Sequence, residues 1–359
     1  MIKKVLTLLL ILLVCGCTEG YSLYQQLYEL GYKQEEVNEI VELSNDKIEL
    51  FLDEYNANLL PLVKDKRFNK SKLSDYLSYY KDYDIDTLFE LVNGNYINSK
   101  DWEYVKKLLK RKFFIIDNLN MYLKYSKDIE DIDHLIGYVN VGAYKKPFEE
   151  CVNADTSDEM SALGNKWSYL GKYEPSDLEV IDKKYGNPNF DQPLKKDAYA
   201  AFLKMHDAAL EKGISIYVAS AYRSHDYQIK IYNGYLLRDS QEVVDTYSSR
   251  PGYSDHQTGL ACDLLSYGYN FDTFESSEAF KWLSENAEKY GFILRYPKDK
   301  EDITGYIYES WHYRYVGEEV AKLINDNNLT YDEYHAYYVE RGVTQENTST
   351  STLSIKGTE

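Results

Sequence analysis

The chain has 359 residues, more than one hydrophobic core usually serves, so two folded units with terminal appendages are expected. Hydrophobic residues make up 44% of the chain and charged residues 28%, a composition that excludes a fibrous or wholly disordered protein. The formal net charge is −18, and the sequence contains no basic stripe. Because phosphate backbones are bound through clustered lysine and arginine, these features argue against a nucleic-acid partner.

The N-terminus has the pattern of a bacterial export signal. Lys3 and Lys4 precede an apolar run at residues 5–14, which is shorter than the ~20 residues that a membrane-spanning helix needs. The segment Cys15-Gly16-Cys17 then resembles a lipobox, in which the cysteine after a small residue is lipidated. We therefore expect residues 1–17 to be a lipoprotein signal peptide, with lipidated Cys17 holding the chain at the extracellular face of the cytoplasmic membrane. Plain secretion and an uncleaved anchor are the alternatives.

Residues 18–150 are predicted to form an all-α N-terminal domain. Apolar residues recur there at spacings of three and four, as at Val37, Ile40 and Val41. Two segments about 46 residues apart also resemble one another: YLSY at residues 76–79 followed by LVN at 91–93, and YLKY at 122–125 followed by YVN at 138–140. This similarity suggests that a helical unit has been duplicated. No cluster of metal ligands or nucleophiles occurs in this half of the sequence.

The periodicity lapses between residues 147 and 164, so we place the domain boundary there, with a second domain at residues 151–340. Its sequence alternates helical stretches with short runs that are typical of strands, which predicts an α+β domain built on a small antiparallel sheet of about four strands flanked by helices. The strand runs are residues 214–219, 259–264, 291–296 and 311–316, and the helical stretches include 196–211 and 277–290. Residues 341–359 are rich in serine and threonine and are predicted to be a disordered tail.

Four residues of this second domain suggest metal chemistry. His256 lies in a turn-rich stretch and Asp263 follows seven residues later in a strand run, while Glu309 precedes His312 by three positions. A catalytic zinc ion takes three ligands of this kind and leaves one position open for water, whose proton a nearby carboxylate can accept. The sequence therefore predicts metal-assisted amide hydrolysis. Spacing alone leaves open whether Asp263 or Glu309 is the ligand and which is the base.

These four residues lie in sequence blocks that resemble a known family, the D-alanyl-D-alanine carboxypeptidases typified by VanY. The resemblance extends over about residues 163–317 and comprises several blocks in the family's order. These blocks are SAYRS at residues 220–224, SDHQTGLACDL at 254–264, GFILRYP at 291–297 and ESWHY at 309–313. Cys262 departs from the aliphatic residue that is common at its position, a change expected to affect packing more than catalysis.

The resemblance implies one zinc ion bound by His256, Asp263 and His312, with Glu309 as the general base. It further implies that Arg223 holds and polarises the scissile carbonyl, which a fixed guanidinium can do as negative charge develops. Gln228 and Ser254 match positions that contact the peptide's end in relatives, so both are expected to bind substrate.

The activity implied is removal of the C-terminal D-alanine from peptidoglycan stem peptides by a zinc metallopeptidase that we expect to be a monomer. An L,D-carboxypeptidase, an endopeptidase and a non-catalytic wall-binding protein are the alternatives, since the motif residues do not separate them. A serine enzyme is disfavoured because no Ser-x-x-Lys motif has the context of a penicillin-binding protein. For the helical half we expect a spacer or partner-binding module.

Overall fold

The computed structural model describes residues 19–53 and 56–343. The predicted signal peptide with Cys17, and residues 344–359 of the predicted tail, lie outside the described residues. Within the described ranges, no helix combines the length and the apolar character needed to cross a lipid bilayer.

The chain divides into two compact units between Val105 and Lys106. The first unit is helical, as predicted, and its core includes Phe51, Tyr76 and Phe89, all buried. Asp84 caps the N-terminus of the helix that follows it, because its carboxylate accepts a hydrogen bond from the Thr87 backbone N–H. The helices that begin in this unit are α1 Glu19–Glu29, α2 Gln34–Val41, α3 Asn45–Ile48, α4 Leu59–Lys64, α5 Leu73–Tyr79, α6 Ile85–Asn93 and α7 Trp102–Leu108.

The two similar sequence segments form the same local contacts, which supports duplication of a helical unit. The Tyr76 hydroxyl donates to Asn93 Oδ1 at 2.7 Å, and the Tyr122 hydroxyl donates in the same way to Asn140 Oδ1. Each asparagine amide donates in turn to a backbone carbonyl, 26 residues upstream in the first copy and 27 in the second. In both copies the tyrosine of one helix is therefore bonded to the asparagine of the next helix. The same asparagine is bonded to the backbone just before the first of these two helices.

The second copy belongs to the same compact unit as the sheet, although the sequence placed it in the N-terminal domain. Its helices are α8 Leu119–Tyr125 and α9 Ile132–Val141. His134 of α9 lies 2.8 Å from the carboxylate of Asp302, and Lys112 donates to Asn327 Oδ1 at 2.6 Å. Helical periodicity predicts that a face will be buried but not which partner buries it, so the boundary near residue 150 could not be corrected from the pattern alone.

The second unit contains the predicted four-stranded antiparallel sheet. Its strands are β5 (Tyr217–Ser220), β6 (Ala261–Leu265), β7 (Phe292–Leu294) and β8 (His312–Tyr315), and they lie in the order β5-β6-β8-β7. Its register places Asp263 of β6 between Ser220 of β5 and His312 of β8. Helices of this unit pack on the sheet around a core that includes Phe202 and Cys262. Cys262 is buried in this core, where its side chain contributes to packing, and it is a free thiol, as is Cys151.

Helices at residues 196–211 and 277–290 are confirmed, the latter ending in a 3₁₀ turn at Ala287–Tyr290. The remaining helices are α10 Lys196–Leu210, α11 His225–Leu236, α12 Gln241–Tyr247, α13 Glu278–Asn286, α14 Glu301–Thr304, α15 Glu318–Asp326 and α16 Tyr331–Tyr334. The strands are β1 Val152–Asn153, β2 Ser168–Tyr169, β3 Leu178–Val180, β4 Pro193–Lys195, β5 Tyr217–Ser220, β6 Ala261–Leu265, β7 Phe292–Leu294 and β8 His312–Tyr315.

Candidate metal centre and active site

Three of the predicted residues converge on one buried point. His256 lies in a 3₁₀ turn at Asp255–Thr258, Asp263 lies within β6, and His312 begins β8. The pairing of β6 with β8 sets Asp263 opposite His312, and the turn that precedes β6 brings His256 beside them. One potential ligand atom from each of the three residues lies within 4.8 Å of the other two.

Hydrogen bonding fixes the orientation of the His256 ring. Its Nδ1 lies 2.8 Å from the Ala221 carbonyl oxygen, which can only accept, so Nδ1 carries the proton. Nε2 is left with its lone pair and lies 3.3 Å from Asp263 Oδ1. Burial, followed by the nearby Arg223 guanidinium, lowers the pKa of His256 to about 4. The ring is therefore neutral near pH 7, as a metal ligand must be.

Asp263 Oδ1 is a buried acceptor that has no hydrogen-bond partner among the described residues. It lies 3.4 Å from Nδ1 of His312 as well as 3.3 Å from His256 Nε2. Although burial raises the pKa of the Asp263 carboxyl, His256 and Arg223 together hold that pKa well below its usual range. An ionised carboxylate oxygen facing two imidazole nitrogens is a donor set that suits zinc, and a cation placed among them would satisfy the unpaired oxygen.

Glu309 lies next to this donor set. Its Oε2 is 3.3 Å from His312 Nδ1, and its side chain is buried at the wall of a cavity. Burial raises the pKa of the Glu309 carboxyl, although the hydrogen bond to His312 opposes this effect. A carboxylate whose pKa is raised is a better proton acceptor, which is the property that a general base requires.

Arg223 follows β5 and reaches the same group. Its Nη2 donates to Asp263 Oδ2 at 2.6 Å, and both Nε and Nη2 donate to Ser220 Oγ, at 3.0 and 2.8 Å. The guanidinium is thus held at three points while it lines the cavity. A fixed cation in this position can stabilise negative charge on a bound carbonyl.

Gln228 and Ser254 also line this cavity, which has a volume of about 330 Å³. The Gln228 amide nitrogen donates to the Ser249 carbonyl at 2.8 Å, whereas its Oε1 is buried with no partner among the described residues. An acceptor held in this way can receive a hydrogen bond from a ligand. Ser254 is buried at the start of the turn that carries His256. All seven residues singled out in the sequence therefore surround one cavity.

Asp255 is a functional residue that the sequence analysis did not single out. Its Oδ2 lies 3.3 Å from Nε2 of His312, and Arg314 donates to its Oδ1. Burial by itself raises the pKa of the Asp255 carboxyl, but Arg314, His312 and Arg295 together hold it well below its usual range. The buried carboxylate consequently orients the His312 ring and leaves Nδ1 facing Asp263.

One sequence feature could have indicated this network. Arg295 and Arg314 occur inside apolar strand runs, and both side chains are fully buried. A buried guanidinium needs a carboxylate, and Asp255, next to a candidate metal ligand, was available. The same carboxylate affects His312: although burial lowers the pKa of this imidazole, hydrogen bonds with Asp255 and Glu309 raise it to about 9. The carboxylates around His312 thus stabilise a positive charge on its ring, so a metal bound at Nδ1 would have to displace a proton.

Comparisons with known proteins find that the chain is similar to carboxypeptidases. The model of the VanY family, described as D-alanyl-D-alanine carboxypeptidase, matches residues 191–318. The putative carboxypeptidase YodJ of Bacillus subtilis (strain 168) is 43% identical over 183 residues, covering 49% of this chain and 67% of the relative. A D-alanyl-D-alanine carboxypeptidase of Enterococcus faecium is 37% identical over 148 residues, covering 41% of this chain and 45% of the relative. The chain thus spans less than half the length of the enterococcal protein.

Among solved structures, the LD-carboxypeptidase LdcB is 39% identical and is similar with a TM-score of 0.49. The similarity covers 54% of this chain and 92% of that protein.

Proposed function

The chain belongs to the VanY family of D-alanyl-D-alanine carboxypeptidases, and on that basis we propose that it removes the C-terminal D-alanine from peptidoglycan stem peptides with one zinc ion. The observation that carries the proposal is the convergence of His256, Asp263 and His312 beside buried Glu309 in one cavity. The name of the E. faecium relative supports the substrate class.

His256 through Nε2, Asp263 through Oδ1 and His312 through Nδ1 would hold the zinc ion. Zinc at such a donor set supplies Lewis-acid polarisation and brings the pKa of a coordinated water toward neutrality. Asp255 keeps the His312 ring oriented, and the Ala221 carbonyl does the same for His256.

Glu309 and Arg223 perform the remaining steps. Glu309 accepts a proton from the attacking water at its carboxylate, and it then returns that proton to the amine nitrogen of the departing D-alanine. Arg223 binds the scissile carbonyl oxygen and stabilises the negative charge that grows on it. The hydrogen bonds of Arg223 to Ser220 and Asp263 hold the guanidinium in place beforehand, so little reorganisation accompanies the reaction.

The substrate is tested by incubating the mature protein with purified muropeptides and measuring products by mass spectrometry. Loss of one alanine from the pentapeptide supports D,D-cleavage. Loss of the terminal alanine from the tetrapeptide instead would replace this proposal with an L,D-carboxypeptidase, and cleavage within cross-links would indicate an endopeptidase. Intact substrates in every case would contradict a catalytic function. A chelator should abolish the activity and added zinc should restore it, whereas a serine enzyme would be unaffected.

We also propose that the protein is anchored by a lipid on Cys17 at the outer face of the bacterial membrane. The support is the pattern of basic, apolar and cysteine residues at the N-terminus. The test is expression of the full chain in a Gram-positive host, followed by partition between detergent and aqueous phases. We expect the wild-type protein in the detergent phase and Cys17→Ala as uncleaved precursor. Cys15→Ala is the matched control and should be processed as wild type, and processing of Cys17→Ala to the same mature form would contradict lipidation at Cys17.

A further inference from the structure

Asp272 differs from the other carboxylates that line the catalytic cavity. Asp255 is paired with buried arginines, and Asp263 and Glu309 belong to the metal centre described above. Asp272 lines the same cavity but is exposed. Within residues 19–53 and 56–343 its carboxylate has neither a hydrogen bond nor an ion pair. It therefore offers an unneutralised negative charge at the cavity wall.

The segment that carries Asp272 is held by its own hydrogen bonds. The Thr273 backbone N–H donates to Asn270 Oδ1 at 3.1 Å, and the Thr273 hydroxyl donates to the same oxygen at 2.9 Å. The Asn270 N–H donates back to Thr273 Oγ1 at 3.0 Å. These reciprocal bonds enclose the two residues between them, so Asp272 projects from a closed turn.

Aromatic contacts fasten this turn on both sides. The ring of Phe271 meets the ring of Trp311 edge to face, with centroids 5.2 Å apart, and both residues line the cavity. Phe274 is fully buried in the core of the sheet. The position of Asp272 is thus set by packing next to Trp311, one of the two residues between Glu309 and His312. The loss of conformational entropy when Asp272 binds a ligand is correspondingly smaller.

Among the described residues that line the cavity, Arg223 has the one guanidinium, no lysine is present, and the His312 ring lies against Asp255, Asp263 and Glu309. Arg223 is the basic guanidinium at this wall, and it is already bonded to Asp263. A cationic group of a bound ligand would therefore meet an unpaired carboxylate at Asp272. In a peptidoglycan stem peptide the terminal D-alanines have no charged side chains, and the cation nearest to them is the side-chain ammonium of the diamino acid at the third position.

We propose that Asp272 is a specificity-determining residue that binds this side-chain ammonium and so favours stem peptides with a free amine at the third position. The proposal rests on the proposed carboxypeptidase function. Lysine and diaminopimelic acid both supply a primary ammonium. Diaminopimelic acid carries a carboxylate beside its ammonium, which opposes the attraction to Asp272, so lysine is the preferred residue.

The test compares three synthetic stem peptides that differ only at the third residue: lysine, Nε-acetyl-lysine and meso-diaminopimelic acid. For the wild-type protein at low ionic strength, we expect kcat/KM for the lysine peptide to exceed that for the acetylated peptide by about threefold, the scale of a solvent-exposed ion pair. The diaminopimelate peptide should fall between them. At an ionic strength of about 1 M, where charges are screened beyond ~3 Å, the preference should shrink.

Variants then test whether the Asp272 carboxylate causes the preference for the lysine peptide. Asp272→Asn should cleave the lysine and acetylated peptides equally. Asp272→Lys should reverse the order. The matched control is Glu275→Gln, which removes a charge three residues away that is paired with Lys298 outside the cavity, and it should keep the wild-type preference.

Equal cleavage of both peptides by the wild-type protein, or an unchanged preference in Asp272→Asn, would overturn this inference while leaving the carboxypeptidase function intact. Cleavage of none of the three peptides would overturn both.

Discussion

Asp255 Oδ2 lies 3.3 Å from Nε2 of His312, while Nδ1 of the same ring faces Asp263 Oδ1 at 3.4 Å. One imidazole thus connects a buried carboxylate that is paired with arginines to the carboxylate of the proposed metal centre. Because each nitrogen has a different partner, the ring cannot rotate without losing both contacts. This arrangement makes Asp255 a positioning residue for the His312 ring.

Asp255→Asn should weaken zinc binding by about 10- to 100-fold, because His312 loses the partner that orients it. It should also lower the free energy of unfolding by about 3 kcal/mol or more, because Arg314 is left buried beside a neutral amide. Competition with a chromogenic chelator measures the first effect and urea denaturation the second. Asp332→Asn is the matched control, since that carboxylate is also buried and forms an ion pair with Arg295 but does not contact His312. Equal loss of zinc affinity in both variants would contradict the positioning role.

Glu309→Gln should lower kcat by about 10²- to 10⁴-fold and leave one zinc ion bound, because the amide keeps the shape of the side chain but cannot accept a proton. Asp263→Asn should instead lose the metal. Steady-state kinetics and metal analysis of the purified variants distinguish the two. Loss of zinc in Glu309→Gln with zinc retained in Asp263→Asn would exchange the roles of the two carboxylates.

Arg223→Lys should lower kcat/KM by about 10²-fold, because an ammonium cannot keep the hydrogen bonds to Ser220 and Asp263 while it contacts the substrate carbonyl. Zinc binding should persist. Arg238→Lys, an exposed change outside the cavity, is the control and should retain wild-type kinetics. Similar kcat/KM values for the two variants would exclude a role for the guanidinium in catalysis.

The lowered pKa of the buried Lys166 ammonium predicts that the free energy of unfolding depends on pH. Burial lowers its pKa to about 8 from 10.5, and its Nζ lies 4.8 Å from the centre of the Tyr306 ring. Between these two pKa values the unfolded chain holds more protons than the folded one, so the free energy of unfolding should rise with pH, by about 2 kcal/mol from pH 8 to pH 10. Lys166→Met should remove this rise. Urea denaturation of both proteins at several pH values measures it, and parallel profiles would contradict the assignment.

The elements themselves were largely predictable from local sequence. Apolar runs bounded by turn residues predicted the strands that became β5 to β8, and the stretch before residue 211 predicted α10. Strand and helix patterns depend on residues close together in the chain, so they can be read without knowing the partners. The domain boundary could not be read in this way, because α9 packs against residues beyond position 300 that no periodicity identifies.

For the site, the sequence alone determined which chemical groups were available: two imidazoles, two carboxylates and a guanidinium, in blocks that resemble one family. Only the tertiary structure decided how they are arranged. Antiparallel pairing sets Asp263 opposite His312, and burial raises the pKa of Glu309 while holding His256 neutral. Asp255 acquires its role only when the fold places it against Arg314 and His312. Distances and local dielectric arise from chain segments that are far apart in sequence, and for that reason they could not be derived before the fold was known.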